Sequence, residues 1–182
     1  EFKGFESLQA GDYGINPLKN QPITTGKAEN ILANFFDVED AIFVRGSGTG
    51  AIREALASVL NAGEKILVHT SEVYSTTKTT FDMFAYEPVE ADFNDIDSVK
   101  NTLLENTDIK VCLIQYTRQE LHDSYDMGQL IRVIKNINSD IKIITDDNYA
   151  VMKVDKTGAE LGADLSCFSL FKLLGPEGVG LV

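Results

Sequence analysis

The chain has 182 residues, 43% of them apolar, a formal net charge of −12 and a pI near 4.5. That length sustains a core of its own and makes one domain the starting expectation. The acidic balance repels phosphate backbones and anionic lipid, which sets nucleic acid and membrane aside as partners while leaving room for a local anion site made of backbone N–H groups. The longest apolar runs, such as Ile66–Val68 and Val111–Ile114, fall far short of a membrane span. Cys112 and Cys167, the only cysteines, each lie in an apolar segment and read as core residues of a soluble protein in a reducing cytoplasm. The chain starts at Glu1 without an initiating Met and stops at Val182 within a strand-like segment, so the remainder of a larger protein is expected to be missing.

Residues 1–25 hold Gly, Asn, Pro and Gln with little periodicity and read as an N-terminal arm, with the patterned domain over 26–182. From about Lys27, Ile31, Leu32, Phe35 and Phe36 keep helical spacing, and Ala41–Val44 is a short apolar run of strand type. Gly46–Gly50 forms a turn-rich break. A helix then carries Ile52, Ala55, Leu56, Val59 and Leu60 on one face, with Gly63 as its stop signal. Lys65–His69 reads as a strand, Ser75–Ala85 as a helix, Pro88–Ala91 as a weakly patterned strand and Asp95–Glu105 as a helix with Asn94 as its capping candidate. Strand Lys110–Tyr116, helix Asp126–Asn136, strand Ile141–Thr145 and two closing strands, Leu165–Ser169 and Gly178–Val182, complete the series. Strands alternating with helices at this spacing predict an α/β layer structure with a mainly parallel sheet, because parallel neighbours require crossover connections.

Chemistry concentrates in three places. Gly46-Ser-Gly-Thr-Gly-Ala-Ile52 lies between a strand and a helix, where glycines admit close backbone approach, Ser47 and Thr49 offer hydroxyls, and the helix start offers free N–H groups to a phosphate. A glycine-rich connection without a ligand has the same composition, and the Lys-Ser/Thr ending of a nucleotide P-loop is missing. Ile143-Ile-Thr-Asp-Asp-Asn-Tyr149 sets two carboxylates directly after a buried strand, the edge at which ligands gather in open α/β sheets. Asp146, nearest the strand, is the better candidate; Asp147 and Asn148 also suit a cap or turn. No neighbouring His or acid completes a metal site. In Ser169-Leu-Phe-Lys172-Leu-Leu-Gly175 the lysine stem is expected to be buried among apolar neighbours. A snorkelling lysine would satisfy that burial; a desolvated one suits imine formation, which needs the neutral amine. Pyridoxal phosphate requires all three features together: an anion cradle, a carboxylate at its pyridine nitrogen and a lysine at its aldehyde.

With these features in place the chain resembles the fold-type I pyridoxal-phosphate enzymes, the aspartate aminotransferase superfamily. The resemblance covers most of the chain. It is nearest to a YhfS-like bacterial branch through QYTRQ (Gln115 to Gln119), TDDNYAVMKV (Thr145 to Val154) and FKLLGPEGVG (Phe171 to Gly180), and more distantly similar to cystathionine lyases and synthases. It implies a three-layer α/β sandwich, the large cofactor-binding domain, whose smaller C-terminal domain this chain lacks. It further implies that Gly48, Thr49, Gly50 and Ser169 hold the phosphate, that Tyr74 stacks on the pyridine ring, that Asp146 faces the ring nitrogen and that Tyr149 bonds the ring hydroxyl. Thr117, Arg118 and Gln119 fall where the family contacts the other ring face or substrate, although an arginine there also suits an ion pair. Lys172 would carry the cofactor as an imine, give way to an amino-acid substrate and then act as base or acid at its α carbon, in a homodimer with sites at the interface.

Two other readings compete. Tyr149 and Lys153 have the Tyr-x-x-x-Lys spacing of nicotinamide-dependent short-chain dehydrogenases, but Leu67-Val-His-Thr70 offers no acid to read a ribose. A non-catalytic fragment that acts as an assembly partner is the second.

Overall fold

The computed structural model describes residues 14–18, 21–117 and 120–182, divided between a small unit, residues 1–43, and a larger one, residues 44–182. In the small unit β1 (Ile15–Asn16) and β2 (Gln21–Pro22) pair antiparallel, and α1 (Ile23–Phe36) follows directly. The helix starts at Ile23, ahead of the expected Lys27. Pro22 at its N-cap needs no N–H partner, whereas Thr24, Thr25 and Gly26 are weak helix formers that hide the start in the sequence. Ile31 and Phe35 stay exposed, and the buried side chains of α1 are Glu29 and Ala33. Glu29 accepts hydrogen bonds from the Phe43 N–H at 2.8 Å and from the Gln21 amide, which makes its burial tolerable.

Beyond β3 (Phe43–Arg45), the larger unit continues as α2 (Ser47–Val59), β4 (Lys65–His69), α3 (Ser75–Phe84), β5 (Glu87–Ala91), α4 (Ile96–Glu105), β6 (Ile109–Gln115), α5 (Met127–Ile137), β7 (Lys142–Asp146), β8 (Leu165–Ser169) and β9 (Val179–Leu181). The seven-stranded sheet runs β3-β9-β8-β7-β6-β4-β5. Pairs β4–β5, β4–β6, β6–β7 and β7–β8 are parallel, and β9 runs antiparallel to β8 with Leu181 opposite Phe168. This is the mainly parallel α/β sheet the alternation predicts.

Alternation of side chains within the strands makes the layers. In β6, Cys112 and Ile114 join a cluster with Leu103 of α4 and Leu130 and Ile134 of α5; Val111 and Leu113, one residue out of phase, join Ala55 and Leu56 of α2 and Phe81 of α3. Leu67 against Ile66 and Val68, and Ile143 against Ile144, repeat the division. Burial on both faces is what a parallel sheet covered by helices demands, and each such Ile or Leu contributes about 1.5–3 kcal/mol. Both cysteines are free and fully buried in these clusters, and burial pushes their thiols up, out of the reactive range.

One cap differs from expectation. Asp95, not Asn94, caps α4 by accepting the Asp97 N–H at 3.0 Å; Asn94 instead bonds Asp92 and accepts the Ser124 N–H at 2.7 Å. Because β4, β6, β7 and β8 are parallel, their last residues, His69, Gln115, Asp146 and Ser169, all lie along one edge of the sheet. Among the described residues no helix is long and apolar enough to cross a membrane.

Candidate functional site

A cleft of about 320 Å³ opens at that edge, walled by the start of α2, the ends of β6, β7 and β8, and Tyr74 and Thr76 at the start of α3. The glycine-rich segment is less of a loop than its composition suggests. Gly46 and Ser47 make the turn, with φ of 95° and 60° and their N–H groups donating to Gly178 O at 2.9 and 3.1 Å, and α2 begins at Ser47. Gly48 and Thr49 therefore sit in the first helical turn, where N–H groups have no intrahelical acceptor, and both line the cleft. Gly50 serves packing instead. A Cβ there would fall 1.9 Å from Arg45 O, so its bare backbone lets the helix start pack on the strand it follows, and it does not line the cleft. Thr49 Oγ1 lies 3.0 Å from Thr76 Oγ1, which places two hydroxyls beside the helix start.

Asp146 ends β7 inside the cleft. Its Oδ1 accepts from the Asn148 N–H at 3.1 Å and the Asn148 amide at 2.8 Å, while Oδ2 accepts no hydrogen bond among the described residues. Burial raises its pKa above the ordinary carboxylate value, against the lowering effects of the Asn148 bonds and the Lys172 charge. A partly buried carboxylate held in this way suits a cationic partner. The adjoining Asp147 does more than make a turn: fully buried, it accepts from Gly158 N–H at 2.8 Å and Ser166 Oγ at 2.5 Å, and so anchors the chain after β7 to β8.

Lys172 lies in the 3-10 turn Leu170–Leu173 directly after β8. The residue is half-buried, because the segment leaves the sheet at Ser169 and its apolar neighbours Phe171 and Leu174 are exposed. Its Nζ rests 3.9 Å from the centre of the Tyr149 ring and 4.4 Å from that of Phe171, where the ring faces attract a cation. Gly48, Thr49, Tyr74, Thr117, Asp146, Tyr149, Ser169 and Lys172, far apart in sequence, thus line one cleft. Arg118 and Gln119 lie outside the described residues. Lys153 does not line the cleft, and its Nζ is 5.8 Å from the Tyr149 ring centre.

Residues 22–182, most of the chain, match the model of the aminotransferase class-V family. The chain belongs to that family. It is 42% identical over 181 residues to protein YhfS of Escherichia coli (strain K12), covering 100% of this chain and 49% of that one. The crystal structure of that pyridoxal-5'-phosphate-dependent protein superposes with a TM-score of 0.88 over 99% of this chain. A carbon-sulfur lyase involved in aluminum resistance from Clostridium novyi NT shares the fold at a TM-score of 0.76 and 22% identity, over 88% of this chain and 44% of its own. This class-V chain therefore spans about half the length of the relatives it matches.

Ser47, singled out in the sequence for its hydroxyl, also lines the cleft, whereas sequence reasoning missed Ile52, Thr76, Gln115, Asn148 and Phe171. Thr76 and Gln115 carried a usable signal, since each stands within two residues of a chosen site residue at an element end. A second polar cluster on the same edge went unnoticed. Phe93 N–H donates to His69 Nδ1 at 3.0 Å, which leaves Nε2 as the protonated nitrogen that donates to Asp123 Oδ1 at 3.0 Å. Asp123 also accepts from Asn94 at 3.2 Å and from Glu120 N–H at 3.0 Å. Burial alone would raise the Asp123 carboxyl, but the bonds from His69, Glu120 and Asn94 outweigh it and hold the group well below the ordinary range. Among the described residues no cluster of His, Cys, Asp or Glu could hold a metal ion.

Proposed function

We propose that this chain is the cofactor-binding part of a pyridoxal 5'-phosphate-dependent enzyme that acts on an amino acid, of aminotransferase or carbon–sulfur lyase type. The observation that carries the reading is the convergence of Lys172, Asp146 and the first turn of α2 on one cleft. Its residues fit the cofactor: free helical N–H groups and hydroxyls for a phosphate, a partly buried carboxylate for a pyridinium, and an amine for an aldehyde.

In this reading Gly48, Thr49, Thr76 and Ser169 bind the phosphate, the first two through N–H groups at the positive end of the α2 dipole. Asp146 holds a proton on the ring nitrogen; Tyr74 covers a ring face, Tyr149 bonds the ring hydroxyl, and Thr117 contacts the ring or the substrate. When bound, the cofactor supplies an electron sink for charge that develops at the substrate α carbon. The Lys172 amine would take or return the proton at that carbon, with the ring faces of Tyr149 and Phe171 beside its ammonium. Arg118 and Gln119 are assigned to the substrate. Tyr74, Tyr149 and Phe171 leave exposed aromatic surface at the cleft, which supports a homodimer as the working form, and two free buried cysteines agree with a cytoplasmic setting.

The test is the visible absorbance of the full-length protein with pyridoxal phosphate. The lysine-bound band is expected in the unaltered protein and absent in Lys172→Ala; an unchanged spectrum in the variant contradicts the assignment.

A further inference from the structure

Asn148 stands where the three walls of the cleft meet. Its Nδ2 donates to Asp146 Oδ1 at 2.8 Å and its N–H to the same oxygen at 3.1 Å. Its Oδ1 accepts the Ser169 N–H at 2.9 Å. The third wall touches it sterically: a Cβ on Gly48 would fall 2.1 Å from Oδ1 and 2.4 Å from Nδ2, so the amide lies against the first turn of α2 and only glycine leaves it space. The bonds orient the amide, since exchanging its O and N would set N–H against the Ser169 N–H and oxygen against the Asp146 carboxylate.

We propose that Asn148 is a positioning residue that sets the Asp146 carboxylate at one fixed spacing from the α2 turn and from Ser169, so that the ring-side and phosphate-side contacts of one cofactor are met together. This rests on the pyridoxal-phosphate reading above. The physical reason is the bifunctional amide. Two donors on Oδ1 fix the carboxylate plane and leave Oδ2 for the ring nitrogen, while the acceptor on the other end holds the backbone from which the Lys172 turn departs. Alanine offers neither function, and aspartate keeps the acceptor but sets a second negative charge beside Asp146 in place of the donor.

The experiment titrates the full-length protein and its variants with pyridoxal phosphate, reading affinity from absorbance and then the pH profile of the bound band. Asn148→Ala is expected to weaken binding about tenfold, the size of one lost hydrogen bond to a charged group, and to displace the pH profile. Asn148→Asp is expected to lose at least as much; it keeps the side-chain shape and decides the question alone if Asn148→Ala does not fold. Gly48→Ala is expected to weaken binding because its methyl meets the amide, and Gly48→Ala combined with Asn148→Ala is expected to bind better than Gly48→Ala alone. Unaltered affinity and pH profile in the Asn148 variants, or strictly additive losses in the double variant, overturn the role of Asn148. Failure of the unaltered protein to take up pyridoxal phosphate is a different result: it overturns the cofactor reading and this inference with it.

Discussion

Two polar clusters share one edge of the sheet, and they are built on opposite principles. Around Asp123 the donors are complete: His69, Asn94 and the Glu120 N–H all point at one buried carboxylate, and the His69 ring stacks on Phe93 with centres 5.1 Å apart. Around Asp146 they are not, for one carboxylate oxygen has no donor among the described residues and the nearby ammonium of Lys172 rests on aromatic faces rather than on an acid. At Asp123 the bonds outweigh burial and lower the carboxyl's pKa, whereas at Asp146 burial outweighs the Asn148 bonds and raises it. A satisfied network ties loops to a scaffold, whereas a partly buried carboxylate with an open acceptor beside a cleft is available to a ligand. Asp123 is buried and Asp146 partly so at the same edge, and the two differ in how completely their oxygens are bonded and in whether they face the cleft.

Removing the two acids is expected to have opposite consequences. Asp123→Ala strips His69, Asn94 and the Glu120 N–H of their acceptor and is expected to lower stability by about 3 kcal/mol, measured by urea unfolding of the cofactor-free protein. Asp146→Asn removes a carboxylate that burial disfavours and is expected to raise stability near neutral pH by about 1 kcal/mol while pyridoxal-phosphate affinity falls. A loss of stability in both variants would erase the distinction.

The pH dependence sharpens it. Asp123 is held below the ordinary range, so its contribution is complete above that range and is lost as pH falls toward the lowered value. Asp146 is raised, so the folded protein binds its proton more readily, and its contribution to stability falls as pH rises from the ordinary carboxylate value toward the raised one. Unfolding midpoints across an acid pH series are expected to show a weaker acid loss in Asp123→Asn and a weaker decline at the upper side of the carboxylate range in Asp146→Asn. The smallest effect belongs to Lys153→Ala, which should change stability by less than about 0.5 kcal/mol and leave the absorbance band intact, since this lysine lies off the cleft.

The same contrast explains what could be read from the sequence. The parallel α/β order was legible because Ile66, Leu67 and Val68, or Val111 to Ile114, are short apolar runs separated by helical patterns, and Asp146 and Lys172 were legible because strand ends and apolar surroundings make a charged residue conspicuous. Asn148 was passed over as a turn former, since its residue type suits turns and its contacts come from three separate segments. The His69–Asp123 pair was invisible for the same reason at longer range: its members are 54 positions apart, and neither stands in a recognisable motif. The start of α2 at Ser47 was obscured by glycines that composition assigns to a loop but that packing against Arg45 and Asn148 requires within a helix.

The most direct measurement is borohydride reduction of the full-length protein after incubation with pyridoxal phosphate, followed by peptide mapping by mass. The account predicts a single pyridoxyl adduct on the peptide that contains Lys172. An adduct confined to Lys153 or another lysine, or no adduct at all, would contradict it.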